Sequence, residues 1–134
     1  MAHRPLSWLL SLAAAALLSG CIESTETFAI RNDTATPLAA AIDLQGEFHA
    51  YDCATNGTTE TAVSEPTTLT IAPGRRLCLR GSNNNGIDAV DAVRKLTISR
   101  GEVVCVEGDS DSLRTRFEAE QPLPTLNVRE TDCN

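Results

Sequence analysis

Four cysteines have the spacing of structural half-cystines. Cys53, Cys78, Cys105 and Cys133 are separated by 25, 27 and 28 residues, and no C-x-x-C pair occurs among them. Zinc sites are commonly built on such close pairs, so the spacing argues against metal ligation. In a small domain that reaches an oxidising compartment, an even number of cysteines instead predicts two disulfides. The sequence leaves three pairings open, and we favour Cys53–Cys78 with Cys105–Cys133 because both close short loops.

Catalysis would have to use few other side chains. His49 is the only histidine after residue 3, and no G-x-S-x-G motif accompanies it, so little supports a Ser-His-Asp triad. Closely spaced carboxylates could begin a hydrolytic site or a calcium site. They are Asp88 with Asp91, and Glu107 with Asp109 and Asp111. No glycine of the chain lies in a segment that matches a complete EF-hand loop. We therefore predict that these carboxylates are solvated turn residues. On this basis we expect a protein that is not an enzyme and that has no metal or cofactor.

The fifth cysteine follows an apolar N-terminal segment. His3 and Arg4 precede an apolar run over residues 6–18, and Ser19-Gly20-Cys21 follows it. The run is too short to span about 30 Å of hydrocarbon as a permanent helix and suits the apolar core of a secretory signal. This segment resembles the signal peptide and lipobox of bacterial lipoproteins. The resemblance implies diacylglyceryl addition to the Cys21 thiol, cleavage after Gly20 and acylation of the new amino terminus.

A lipidated Cys21 would determine where the protein resides. Two or three acyl chains give stable membrane anchoring, whereas one chain gives marginal binding. The resemblance implies that Ile22 favours the outer membrane over the inner membrane, because in enteric bacteria an aspartate there favours inner-membrane retention. The protein would face the periplasm or the cell surface. We predict a cleaved signal peptide over residues 1–20, a lipidated tether over 21–25 and one domain over 26–134.

Composition excludes two classes of ligand. Cleavage would leave 10 basic and 18 acidic residues, a formal charge of −8. Such a surface repels the phosphates of nucleic acids, so we predict no nucleic-acid partner. The aromatic residues after residue 20 are Phe28, Phe48, Tyr51 and Phe117. These rings are too few to fill a core and also stack on sugars.

Period-two alternation dominates the mature chain and predicts an all-β protein. The clearest strand places Leu38, Ala40, Ile42 and Leu44 on one face. About eight short strands separated by turn residues favour an antiparallel β-sandwich, immunoglobulin-like or similar, with a small barrel as the alternative. One short helix is expected near residues 87–94, behind a possible N-cap at Asp88.

Local patterns predict the pairing of several strands. Residues 69–71 and 77–79 alternate on either side of Pro73-Gly74, which predicts a hairpin. The polar segment 54–66 predicts a solvent loop, as do residues 81–86. For residues 47–53, the alternation leaves two possibilities. Either Phe48 and Ala50 face inward, or His49, Tyr51 and Cys53 do.

The same alternation predicts on which face of a sheet two of the cysteines lie. A two-residue turn at Arg100-Gly101 would place Ile98 opposite Val103 and Leu96 opposite Cys105, so that Cys105 faces the core. Cys78 should instead share the outer face of Arg76 and Arg80.

Arg75, Arg76 and Arg80 form the main basic cluster. They could meet an acidic partner or a lipid phosphate, or they could balance neighbouring carboxylates. We predict a non-enzymatic cell-envelope lipoprotein that binds an envelope protein or supports an assembly. The alternatives are a periplasmic inhibitor of a hydrolase such as lysozyme or a protease, a small hydrolase and a calcium-binding domain.

A second resemblance bears on the inhibitor alternative. The chain is similar to lipoprotein inhibitors of C-type lysozyme in its size and its lipobox. The cysteine in Tyr51-Asp52-Cys53 and the late Cys133 are also similar. It lacks their inhibitory segment, so no inhibitory residue is assigned.

Overall fold

Ten strands in two sheets form the described part of the chain. The computed structural model describes residues 27–55, 60–81, 88–119 and 123–134. The strands are β1 (Thr27–Asp33), β2 (Leu38–Leu44), β3 (Phe48–Asp52), β4 (Thr61–Val63), β5 (Thr67–Ile71), β6 (Arg76–Gly81), β7 (Val93–Arg100), β8 (Val103–Gly108), β9 (Phe117–Ala119) and β10 (Pro124–Arg129). The six-stranded sheet has the order β4-β3-β6-β1-β10-β9, and the four-stranded sheet has the order β5-β2-β7-β8. The strand pairs are antiparallel except for β1 with β10. The predicted all-β sandwich is confirmed.

The core lies between the inner faces of the two sheets. Strand β2 alternates as predicted, with Ile42 buried, and Phe28 and Ile30 of β1 are buried as well. Phe28 makes edge-to-face contacts with Phe48 and Phe117, with ring centroids 6.3 and 5.4 Å apart. Each large apolar side chain buried here contributes about 1.5–3 kcal/mol relative to exposure. The period of two therefore determines which face of each strand supports the fold.

Strand β3 resolves the predicted ambiguity in favour of Phe48 and Ala50. Both are buried, whereas His49 and Tyr51 point to the outer face of the six-stranded sheet. Strand β4 lies within the segment predicted to be a solvent loop, and this part of the prediction is wrong. Ala62 pairs with His49, and Val63 is buried. Strand β4 shows no clear alternation because Val63 is its one buried side chain.

The predicted hairpin around Pro73-Gly74 is also wrong. Strand β5 pairs with β2 in the four-stranded sheet, whereas β6 pairs with β1 and β3 in the six-stranded sheet. The turn therefore carries the chain from one sheet to the other. Ile71 and Leu79 both face the core, but they approach it from opposite sheets.

Strands β7 and β8 form the predicted hairpin in a different register. The turn residues are Gly101 and Glu102, because Arg100 lies opposite Val103. Gly101 has a φ of 58°, which suits a tight hairpin turn. An irregularity then places Ile98 opposite Val106 and Leu96 opposite Gly108. The predicted pairing of Leu96 with Cys105 is therefore wrong, and Cys105 lies in the irregular part of β8.

Short helical segments connect some of the strands. Residues Ala89–Ala92 form a 3-10 turn inside the region predicted to be helical, and Asp88 occupies its N-cap position without a side-chain capping hydrogen bond. Helix α1 (Ser110–Leu113) includes Asp111, which was predicted to be a solvated turn residue, and Asp109 caps the helix. Within the described ranges, no helix has the length and apolar character needed to cross a bilayer.

Several sequence-based predictions concern residues outside the described ranges. Residues 1–26 include the predicted signal peptide, Cys21 and the tether. Residues 56–59 and 82–87 include most of the second predicted solvent loop and Ile87 at the start of the predicted helix.

Candidate functional site: an arginine-lined pocket

Two disulfides hold the sandwich, as predicted from the cysteine count. They join Cys53 to Cys78 and Cys105 to Cys133, the pairing that closes the shorter loops. Cys78 lies opposite Tyr51 and Ala29 on the outer face of the six-stranded sheet, yet it is only 2% exposed. The first disulfide therefore fastens the 3-10 turn Cys53–Thr55 to the outer side of β6.

The second disulfide connects the two sheets. Cys105 belongs to β8 of the four-stranded sheet, whereas Cys133 ends the 3-10 turn Glu130–Cys133 that follows β10. Beside it, Arg100 donates to the carbonyl of Cys133 at 3.4 Å and pairs with Glu130 at 2.5 Å. This corner has no excess charge to offer a ligand, because Glu130 neutralises Arg100.

The histidine of the catalytic hypothesis has a structural contact. The Nδ1 atom of His49 lies 3.7 Å from Glu60 Oε2, and Glu60 also binds Arg80 at 2.5 Å. Arg80 in turn lies over the Tyr51 ring, 5.6 Å from its centroid. His49 thus belongs to a surface cluster on β3, β6 and residue 60.

The candidate carboxylates have structural roles in another part of the fold. Arg114 lies 2.6 Å from Asp91 and 3.7 Å from Asp111. Asp109 accepts a hydrogen bond from the Ser112 backbone N–H, and this bond lowers the pKa of Asp109 below its usual range. Glu107 lies 3.5 Å from the Lys95 ammonium. Among the described residues, no group of three or more His, Cys, Asp or Glu side chains is arranged to hold a metal ion.

The predicted basic cluster is divided in the structure. Arg80 is occupied by Glu60 and Tyr51, whereas Arg75 and Arg76 line a pocket of about 290 Å³. Arg31, from β1, is the third arginine of this pocket. The remaining wall is formed by Asp52, Cys53, Ala54 and Gly74. We call this site the arginine pocket.

Strand register brings Arg31 to the arginine pocket. Arg31 lies directly opposite Arg76 in the antiparallel pair of β1 and β6, on the outer face. Directly opposed side chains of the same charge destabilise a sheet unless other charges compensate. An arrangement of this kind, at the rim of a pocket, is suited to receiving an anion.

Backbone hydrogen bonds position Arg75. Gly74 has a φ of 73°, and its N–H donates to the Asn32 carbonyl at 2.8 Å. The Asn32 N–H donates to the Arg75 carbonyl at 3.0 Å, and the Arg75 N–H donates to the Ala72 carbonyl at 3.1 Å. The turn over residues 72–75 is therefore attached to the end of β1, and the opposite wall is fixed by the Cys53–Cys78 disulfide.

Two carboxylates partly neutralise the arginine pocket. Arg31 Nε lies 2.8 Å from Asp33 Oδ1, and Arg75 Nε lies 3.6 Å from Asp52 Oδ2. Arg76 has no ion pair within the described part of the chain. Three guanidinium groups and two carboxylates thus leave one formal positive charge, on a chain whose formal charge is −7.

A second depression offers less chemistry. It measures about 340 Å³ and lies on the four-stranded sheet, where Asp43 and Lys95 are cross-strand neighbours in its wall. Lys95 is already paired with Glu107, and much of the remaining wall is threonine, alanine and proline. This depression therefore offers no available positive charge to an acidic ligand.

No protein-family model, curated protein or solved structure matches this chain. The roles of Arg31 and Asp52 therefore follow from their own geometry. Sequence reasoning missed both residues. Arg31 is 44 positions before Arg75, and only the register of β1 with β6 brings Arg31 to the arginine pocket.

Proposed function

We propose that the chain is a non-enzymatic lipoprotein of the bacterial cell envelope that binds another envelope protein. The lipobox-like segment ending at Cys21 supports the anchor, and Ile22 supports the outer membrane. The observation that carries the binding role is the arginine pocket, which is a preformed concave site with a positive charge on an acidic protein. An acidic group of a protein partner complements it in charge and shape.

The framework around the arginine pocket suits a binding role. One disulfide and the backbone hydrogen bonds of residues 72–75 fix its walls before a partner arrives. A site that is already ordered loses little conformational entropy on binding, so more of the contact energy appears as affinity. The histidine and carboxylates considered for catalysis already make structural contacts, and this favours binding over turnover.

The direction of β1 supports access to a partner. The predicted tether precedes Thr27, where β1 begins, and Arg31 lies four residues further along the strand. A strand rises about 3.4 Å per residue, so Arg31 is about 14 Å from the tethered end of β1. This separation from the tethered end favours access of a partner to the arginine pocket.

The proposal is tested by affinity capture from envelope extract. The full chain is purified in its lipidated form, with disulfides intact, and used as bait. A variant with Arg31, Arg75 and Arg76 changed to Gln is compared with a control in which Arg80, Arg114 and Arg129 are changed to Gln. We expect one saturable protein partner for the wild type and the control, and its loss from the pocket variant.

Two results would overturn the proposal. Equal capture by the pocket variant would remove the arginine pocket from the interface, and capture of no protein by the folded wild type would exclude a stable partner. If the partner is a hydrolase, its activity is titrated with the chain. Stoichiometric loss of that activity would identify an inhibitor, whereas unchanged activity would identify a scaffold.

A further inference from the structure

We infer that the arginine pocket selects a singly charged carboxylate over a doubly charged phosphate, and that Asp52 is the residue that sets this selectivity. The inference rests on the proposed function, because it specifies the acidic group that the partner would present. The two sources of such a group are an acidic side chain and a free chain terminus.

The charge of the arginine pocket is the first argument. Arg31, Arg75 and Arg76 are opposed by Asp33 and Asp52, so one positive charge is left for the ligand. A carboxylate brings one negative charge and neutralises it. A phosphomonoester brings nearly two negative charges at neutral pH and would leave an excess of negative charge beside Asp52.

The direction of the guanidinium groups is the second argument. Asp33 and Asp52 both lie beside the Nε atoms of their arginines, at 2.8 and 3.6 Å. Within the described residues, the Nη atoms of Arg31 and Arg75 donate no hydrogen bond. A guanidinium edge carrying two parallel N–H groups matches the two oxygens of a carboxylate.

The position of Asp52 is the third argument. Its Oδ1 accepts a hydrogen bond from the Ala54 N–H at 2.9 Å, while its Oδ2 faces Arg75. Asp52 is therefore held in the wall as a fixed negative charge, and 34% of its side chain remains exposed. Asparagine can keep the Oδ1 acceptor while removing the charge. Asp52→Asn thus isolates the electrostatic role from the structural one.

The test measures binding of defined peptides to the full chain in detergent. Three fluorescent probes of otherwise identical neutral sequence carry a free C-terminal carboxylate, an internal glutamate with an amidated terminus, or a phosphoserine with an amidated terminus. Titrations are followed by fluorescence anisotropy at a pH of about 7.5, well above the second phosphate pKa near 6.

We expect the wild type to prefer a carboxylate probe over the phosphoserine probe by about tenfold, because of the like charge of Asp52. The probe that binds more tightly identifies the source, a terminus or a side chain. Asp52→Asn should remove or reverse the preference by tightening phosphoserine binding. Arg76→Gln should weaken all probes by about tenfold or more, whereas the neighbouring Arg80→Gln should weaken none.

The outcomes separate this inference from the proposed function. Tighter phosphoserine binding by the wild type, or an unchanged preference in Asp52→Asn, would overturn the inference. If no carboxylate probe binds although protein capture depends on the three arginines, the ligand class is wrong and the proposed function stands. If the carboxylate probes bind as expected although capture is independent of the arginines, the site is supported and the proposed function is wrong.

Discussion

Asn32 connects the core of the sandwich to the arginine pocket. Its side chain is fully buried, and its Nδ2 donates to the carbonyls of Thr36 and Ile71 at 2.8 and 2.9 Å. Its Oδ1 accepts from the Thr34 N–H at 2.9 Å and the Thr34 hydroxyl at 2.6 Å. The same residue holds the turn over residues 72–75 through its backbone. One buried amide therefore joins both sheets at the end of the domain that carries the pocket.

Replacing Asn32 should lower the free energy of unfolding. Asn32→Ala leaves the Ile71 carbonyl without its donor, and we expect a loss of about 3 kcal/mol in the free energy of unfolding. Asn32→Asp should cost at least as much near neutral pH, because a charged oxygen would face two carbonyls. Urea unfolding under oxidising conditions measures both. Asn134→Ala, at an exposed position, is the matched control. A loss below about 1 kcal/mol for Asn32→Ala would contradict this account.

Glu130 provides a residue-scale prediction about pH. The Ala35 backbone N–H donates to Glu130 Oε1 at 2.8 Å, and this bond, with that from Arg100, lowers the pKa of Glu130 below its usual 4.5. The native state therefore binds the proton less tightly than the unfolded state. The stabilisation is complete above the unfolded pKa and is lost as the pH falls through the lower native pKa.

We therefore expect Glu130→Gln to flatten the decline of unfolding free energy as the pH falls below about 4.5. Urea unfolding at a series of pH values gives the slope. Glu102→Gln, in the exposed turn between β7 and β8, is the control and should leave the slope close to that of the wild type. Equal slopes for the wild type and Glu130→Gln would show that these bonds do not control the titration.

The two disulfides join different elements, so their removal should have different consequences. They close loops of similar length, with sequence separations of 25 and 28 residues, and chain entropy predicts about 3.5 kcal/mol for each. Only the Cys53–Cys78 disulfide fixes a wall of the arginine pocket. Changing both of its cysteines to Ala should weaken capture of the partner on the order of tenfold, through lost preorganisation.

The Cys105–Cys133 pair provides the control for this prediction. Its double alanine variant should lose similar stability, measured by urea unfolding, while it keeps the affinity for the partner. If the two double variants weaken capture equally, the effect reflects general loosening of the sandwich and not the pocket wall.

Most of the strands could be predicted from local pattern, but their assignment to sheets could not. Ile71 and Leu79 flank a Pro-Gly turn in the way that hairpin residues do, and only tertiary packing sends them to opposite sheets. Val63 is the one buried residue of β4, so that strand left no periodic signal. Arg31 joined the arginine pocket through register across β1 and β6, which a single sequence does not specify. The pairing of the cysteines could be predicted, because the observed pairing is the one that closes two short loops.

At the scale of the whole molecule, the arginine pocket lies towards the end of β1 that is farther along the chain from the predicted tether. The strand begins at Thr27, just after the predicted tether, and Arg31 and Asp33 lie near its other end. The negative charge of the rest of the chain also disfavours contact with anionic lipid. Anchoring and partner binding should therefore be separable: removal of the lipid should change where the protein resides and leave partner binding intact.

This separation makes Cys21→Ser the informative variant. The N-terminal peptide of the wild type should begin at residue 21 and carry two or three acyl chains. The wild type should then partition into detergent, since each buried methylene of these chains contributes about 0.8 kcal/mol. Cys21→Ser lacks the thiol and should carry no acyl chain, while it captures the partner with wild-type affinity. The Cys53→Ala/Cys78→Ala variant should show the reverse, with lipid retained and capture weakened. Phase partitioning, mass spectrometry and capture give the three readouts. A mature wild-type chain that begins elsewhere, or that carries no acyl chain, would refute anchoring through Cys21.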